Sequence, residues 1–176
     1  SVSFWLKPLD WDGKTKGFNV FFRTGIGNDY FMLYKFFSDD RLLFLRGEQT
    51  KWTSVNNRIG EWKTGCWHHV VATWSPAEIR LFIDGDMVCA SRVRFPPDLS
   101  SPVEPLSVGP GGSWEKAFCG RSLLDEFRIH SRPLGKEEVT RLYRQDADSV
   151  EIETGMLTIG EKTPALDGRI DDFEYA

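Results

Sequence analysis

Residues 68–85 read HHVVATWSPAEIRLFIDG, and the order of apolar and polar residues in this stretch decides the fold. If the four residues SPAE connect two antiparallel strands, Trp74 faces Ile79, Ala72 faces Leu81 and Val70 faces Ile83. Directly opposed residues share a face of the sheet, so all six apolar side chains fall on one side, leaving Val71, Thr73, Arg80 and Phe82 on the other. The Asp84-Gly85-Asp86 sequence then supplies turn chemistry before Met87 resumes a strand.

Similar runs recur on both sides of this hairpin, separated by clusters of Gly, Asp, Asn and Pro. Strands are expected at Val2–Lys7, Phe18–Arg23, Tyr30–Phe36, Arg41–Arg46, Trp52–Val55, Trp67–Trp74, Glu78–Asp84, Met87–Ser91, Leu106–Val108 and Leu123–Ile129. Ten strands fit two packed sheets, an all-β sandwich. A single helical segment is expected, Lys136–Tyr143, two turns with Val139, Leu142 and Tyr143 on one face and Glu137 four residues before Arg141, plugging one end of the sandwich. The tail repeats a pattern from the middle: LSVG at 106–109 precedes LLDEFRI, and LTIG at 157–160 precedes RIDDFEY. The second copy is either the end of another unit or an extra strand pair closing this sandwich. Closure is preferred, because a second unit would need roughly a hundred more residues. The expectation is one domain over 1–176, with 149–176 as additional strands and Leu157–Tyr175 forming two of them around turns at Pro164 and Asp167-Gly168.

Composition narrows the function classes. With 176 residues there is enough chain for one well-filled core but too little for two ordinary domains. An aromatic content of 14%, including 13 Phe and 7 Trp, favours strands and stacking surfaces. The net charge of -4 leaves no basic excess with which to displace counterions, which argues against nucleic acid and mildly against anionic glycans. No apolar run reaches the roughly 18 to 20 residues of a membrane-spanning helix, so no membrane partner is expected. Three cysteines, Cys66, Cys89 and Cys119, lack the paired spacing of a zinc site and allow one disulfide at most. The chain opens on the strand-like SVSFWLKP without a signal peptide, as expected of a piece of a longer polypeptide.

Taken in order, SVSFWLKP, WHHVVATW, IRLFIDGDMV and LLDEFRIHSRPLGKEEVTRLY resemble the bacterial laminin-G-like, concanavalin A-like lectin/glucanase family, related to the pentraxins. The resemblance spans about residues 1–145. It implies a two-sheet antiparallel jelly roll with one short terminal helix, serving as an accessory module in extracellular or cell-surface multidomain proteins, often glycan-degrading ones. The usual opening strand is absent, and Asp148–Ala176 lies beyond the family pattern. Related jelly rolls often hold calcium, and Asp125 is the residue to which the resemblance would assign a structural calcium, with a strand-end hydrogen-bonding role as the alternative. The same fold serves lectins, protein-adhesion modules and, in distant branches, glycosidases.

Catalysis finds little support in the residues. A glycosidase needs two carboxylates on one face. Asp125 and Glu126 are adjacent and are expected on opposite sides of their strand; Asp172 and Glu174 share a face, but no third carboxylate joins them. His68 and His69 diverge for the same reason and are read as structural. No nucleophile elbow and no phosphate-binding glycine loop is present, and GPGGS at 109–113 reads as a turn. Not an enzyme is therefore the expectation, with a glycoside hydrolase the remote alternative.

Sugar binding calls for an exposed aromatic plate ringed by amides and charged groups. Trp5, Trp67 and Trp74 lie in strand patterns and are expected in the core, while Trp62 could go either way. Trp11, Trp52 and Trp114 sit in turn-rich, polar surroundings, and Trp52 precedes Asn56, Asn57 and Arg58. These six residues are the expected carbohydrate site. The functional expectation is a non-catalytic module that binds a polysaccharide or glycan, and the alternative is a spacer or protein-interaction domain that contacts neighbouring domains.

Overall fold

The computed structural model describes residues 1–26, 29–47, 51–94, 103–109 and 120–157. Its strands are β1 (Val2–Pro8), β2 (Asn19–Ile26), β3 (Asp29–Lys35), β4 (Arg41–Gly47), β5 (Trp52–Arg58), β6 (His68–Trp74), β7 (Glu78–Ile83), β8 (Asp86–Arg92), β9 (Val103–Val108) and β10 (Ser122–Ile129), followed by the helix α1 (Lys136–Leu157). All ten expected strands are present, and none of the expected ends is off by more than a few residues. They form two antiparallel sheets, one ordered β10-β1-β6-β7-β8 and the other β5-β4-β3-β2-β9.

The β6–β7 hairpin has the expected register, with Val70 opposite Ile83, Ala72 opposite Leu81 and Trp74 opposite Ile79. Ser75 closes its loop: its N–H donates to the Glu78 carbonyl at 2.8 Å, and its Oγ accepts from the N–H groups of Ala77 and Glu78. The following turn holds Asp84 at φ 50° and Gly85 at φ 84°, both in the left-handed region that a two-residue hairpin loop of type I′ requires.

Between the sheets lies the main core, built from Val2, Phe4 and Leu6 of β1, Val70 and Ala72 of β6, and Phe22, Phe31, Leu33, Leu42, Phe44 and Val55 of the opposite sheet. A register shift between Val20 and Phe22 brings Phe21 and Phe22 together into this core. Trp74 completes it from β6, its ring centroid 4.8 Å from Phe31 and 5.9 Å from Phe44. A second apolar cluster takes Val20, Met32, Tyr34, Leu43 and Leu45 from the alternate positions of β2, β3 and β4, with Phe18 just before β2, and so belongs to the outer face of that sheet.

The helix departs from expectation in length and place. It runs 22 residues, from Lys136 to Leu157, so residues 149–157 are helical rather than strand, and Leu157 ends a helix instead of opening a strand. No proline interrupts this stretch, so nothing in the sequence stops the helix at Tyr143. Residues 158–176, with the expected tail strands, lie outside the described residues. Instead of plugging an end, α1 covers the outer face of the β6 sheet, where Leu134, Val139 and Leu142 pack on Val71 and Phe82. Leu134 and Val139 flank the helix start as a hydrophobic staple, and Glu138 accepts from the Gly135 N–H at 3.0 Å, as in a capping box. Arg132 and the Gly135 N–H hold the Glu138 carboxyl down at about 2.

Beneath the helix, His69 is 1% exposed, its ring 5.3 Å from Trp5 and 6.0 Å from Tyr143. Both His69 ring nitrogens and the Trp5 Nε1 are buried without a hydrogen-bond partner among the described residues. Burial pushes the imidazole down to about 4, against the pull of the Asp146 and Asp84 carboxylates. The folded protein therefore keeps His69 neutral over a range in which the unfolded chain, with an ordinary value near 6.5, binds a proton. Stability is fully present above pH 6.5 and falls as pH drops towards 4, by up to about 3 kcal/mol from this group. Urea unfolding between these pH values should show that loss, and His69→Phe should flatten the slope without destabilising the protein at neutral pH.

Candidate functional site

Among the described strands β5 is an edge of its sheet, and it pairs with β4 without a register shift, from Arg41 opposite Arg58 to Gly47 opposite Trp52. Val55 belongs to the core, so Thr53, Val55 and Asn57 share the inner side, while Trp52, Ser54, Asn56 and Arg58 line the outer one. Trp52 is 53% exposed. Asn56 is exposed as well, and its amide engages no other described residue.

Two glycines shape this face. Gly47 lies opposite Trp52 with φ 151°; a Cβ there would collide with the Lys51 carbonyl and lie 2.8 Å from the Trp52 Cβ. The glycine thus lets the β4 and β5 backbones approach closely at this end of the edge. At the other end, Arg58 Nη1 donates to Asp40 Oδ1 at 2.6 Å, and the Asp40 carbonyl accepts from the Ile59 N–H at 2.7 Å. A Cβ at Gly60 would lie 2.7 Å from Asp40 Oδ2 and 3.6 Å from Lys14 Cε, so the glycine makes room for the Asp40 side chain beside Lys14. Asp40 is the member of this surface that the sequence reading missed, since it reaches Arg58 from the loop before β4. The run SDDR at 38–41 was the available signal.

The remaining expected site residues divide. Trp11 is 1% exposed, against the expectation of a loop plate. Asp12 Oδ1 takes the N–H groups of Lys14 and Thr15 and tightens the turn, while the Trp11 Nε1 donates to Ser122 Oγ at 2.9 Å and the ring stacks near Phe21. Asn57 is partly buried on the inner side, donating to the Arg58 carbonyl. Trp114 and Cys119 lie outside the described residues, and Cys66 and Cys89 are free thiols. Of the other tryptophans, Trp5 and Trp62 are buried and Trp74 packs against the core. Trp67 is half-buried, with Lys7 Nζ 5.4 Å from the centre of its ring.

Asp125 and Glu126 do not take opposite sides of β10. Leu124 and Phe127 both pack on the core, so the two acidic residues together fill the interval, at a bulge where Glu126 has φ 51°. Arg128 then binds Glu126 and Asp146, and the nearby carboxylates raise its already high pKa. Asp125 lies in mid-strand rather than at a strand end, and its Oδ1 accepts from the Glu126 N–H at 2.7 Å, a local hydrogen bond within the bulge. Among the described residues, no three His, Cys, Asp or Glu side chains gather as a metal site would require. His68 is oriented by Asp84, Nδ1 to Oδ2 at 2.9 Å, and stacks on Trp62 with centroids 4.0 Å apart; the other Asp84 oxygen accepts from the His69 N–H. Asp84 thereby ties the β7–β8 turn back to the start of β6.

Two five-stranded antiparallel sheets with this connectivity define a concanavalin A-like jelly roll. The family model described as the concanavalin A-like lectin/glucanases superfamily, of laminin-G type, matches residues 1–140, and the chain belongs to that family. Among solved structures, the receptor-binding domain of botulinum neurotoxin D is similar at TM-score 0.64 and 16% identity, over 82% of this chain and 36% of that one. The serotype G binding domain is similar at TM-score 0.60 and 12% identity, over 84% and 36%. A third, the binding domain of botulinum neurotoxin DC in complex with SialylT, has TM-score 0.59 and 12% identity, over 82% and 34%. The chain spans about a third of the length of these structures, and at such identity the likeness is one of fold. No curated protein sequence matches the chain significantly. No described helix is long and apolar enough to cross a membrane.

Gly47→Ala should both destabilise the fold and disturb the edge, because the new methyl meets backbone at Lys51 and Trp52 in a φ region unfavourable to L-residues. A loss of at least about 1 kcal/mol in thermal unfolding, with a changed Trp52 emission, is the expected outcome. An unchanged melting temperature would mean that the edge is not held as described.

Proposed function

We propose that this domain is a non-catalytic carbohydrate-binding module of an exported or surface-displayed multidomain protein, with Trp52 as its sugar platform. The observation that carries the reading is the half-exposed Trp52, sharing a strand face with Asn56 and Arg58. Pyranose rings present apolar C–H faces ringed by hydroxyls; the indole complements the apolar face of one ring, and the amide and guanidinium further along the strand complement hydroxyls of others. A stack covering about 100 Å² is worth roughly 2.5 kcal/mol before ordering costs, so one domain binds weakly and gains from repetition or from tethering to an enzyme. The non-catalytic reading is supported at β10, where Arg128 holds Glu126 and Asp146 in ion pairs. A glycosidase requires instead an acid and a base poised across a sugar.

The test is affinity electrophoresis against a panel of plant, algal and host polysaccharides, repeated with Trp52→Ala. At least one polysaccharide should retard the native chain, and the variant should bind it about tenfold or more weakly, about 1.4 kcal/mol, with unchanged thermal unfolding. Retardation should survive a calcium chelator; a calcium requirement would shift the site to Asp125. Equal retardation of the Trp52→Ala variant would remove the indole from the site.

A protein-interaction role is favoured by one observation, the exposure of Leu106 and Val108 on β9 and of Ile129 on β10, the edge strands of the two sheets. If no polysaccharide binds while Ile129→Asp abolishes association with a neighbouring domain, this second reading replaces the first.

A further inference from the structure

The β5 face has a direction, a length and a charge state, and together these specify a class of glycan. Trp52, Ser54, Asn56 and Arg58 alternate along one unbulged edge, so the Cα atoms of Trp52 and Arg58 stand roughly 20 Å apart. A single sugar ring cannot touch both. A chain of several rings lying along the strand can.

The charge at the far end decides between acidic and neutral chains. Arg58 is highly exposed, its side chain 75% accessible, which taken alone would suit a uronate or sulfate. Its charge is nevertheless met by Asp40 at 2.6 Å. The next cation on the same face, Arg41 opposite Arg58 in the register, is met by Asp39 through Nε to Oδ2 at 2.8 Å. Both guanidinium groups therefore come with their own carboxylates, and the chain as a whole carries a charge of -4. An anionic ligand would have to displace Asp40 or approach it closely. What the pair offers instead is guanidinium N–H donors beside the partly exposed Asp40 carboxylate, an acceptor. Neighbouring sugar hydroxyls, each able to donate and accept, match that combination.

We infer that the β5 face binds a neutral, unbranched polysaccharide running along the strand, one ring stacked on Trp52 and, several rings on, a pair of adjacent hydroxyls bridged by Arg58 and Asp40. This rests on the carbohydrate-binding reading above and adds the ligand's charge, its linearity and its minimum length. Asn56, lying between, meets the intervening hydroxyls with its exposed amide.

Isothermal titration of the native chain with cello-, xylo- and manno-oligosaccharides of increasing length, and with oligogalacturonate and alginate oligomers, tests it. At least one neutral series should bind, with affinity rising as the chain lengthens until it spans from Trp52 to Arg58, and with little response to added salt. Asp40→Asn and Arg58→Gln should each weaken the longer members about tenfold and leave the shortest binding members unchanged, with thermal unfolding confirming that both variants fold. Tighter, salt-sensitive binding of the uronate oligomers, improved by Asp40→Asn, would overturn the neutral-chain inference while leaving a glycan-binding module in place. A length-independent affinity would overturn the extended site. Failure of every oligosaccharide and polysaccharide to bind would overturn both this inference and the functional reading beneath it.

Discussion

Water is excluded from both faces of strand β6, and the arrangement of the molecule answers to that. Val70 and Ala72 meet the opposite sheet, while Val71 and Thr73, one residue out of phase, are buried on the other side. A strand apolar on both faces needs a cover on each. The second sheet provides one, and α1 provides the other by laying Leu134, Val139 and Leu142 over Val71 and Phe82. The helix is thus the third layer of a packed stack, and Asp84, Arg128 and Asp146 fix its neighbourhood through hydrogen bonds and ion pairs.

How much of this was legible in the sequence depended on how local the determining physics is. The β6–β7 register could be read pair by pair because side chains alternate with period two and a wrong register would bury Arg80. The Asp84-Gly85 turn was equally legible, since left-handed backbone at two successive residues leaves few sequence choices. Alternation failed as a guide at Asp125 and Glu126, where a bulge with positive φ at Glu126 breaks the period and gathers two carboxylates that the pattern had separated. That Val71 and Phe82 formed a second apolar face was visible. That a helix would cover them was not, because the partner surface lies more than fifty residues away in sequence.

The candidate site shows the same division. Trp11 and Trp52 both sat in polar, turn-rich sequence, and composition alone gave them the same role. What separates them is a partner distant in sequence: Ser122 receives the Trp11 indole N–H and draws the ring into the core, whereas Gly47 removes the side chain that would otherwise lie across from Trp52. Asp40 was missed for a similar reason, since its meeting with Arg58 is set by the β4–β5 pairing and not by any local motif. The edge-strand alternation itself, which splits Asn56 from Asn57, could have been applied to 52–58 once the strand was extended past Val55.

The placement of β1 between β6 and β10 bears on how the domain is made. Its residues Val2–Leu6 hydrogen-bond on one side to a strand some seventy residues later and on the other to one that ends at Ile129. Such long-range pairings make for slow folding, because the loops must close before the contacts reward them. On a ribosome, β1 would wait for β10, keeping Phe4, Trp5 and Leu6 exposed while the more than one hundred residues between them are being added. The β6–β7 hairpin, whose two strands pair with each other across a four-residue loop, is the natural place for structure to begin, and β1 then docks onto a surface already formed. In a tandem protein, this order would leave each new domain open to mispairing with its neighbour's unfilled sheet, and a protective spacing between repeats, or assistance from chaperones, would follow from the topology alone.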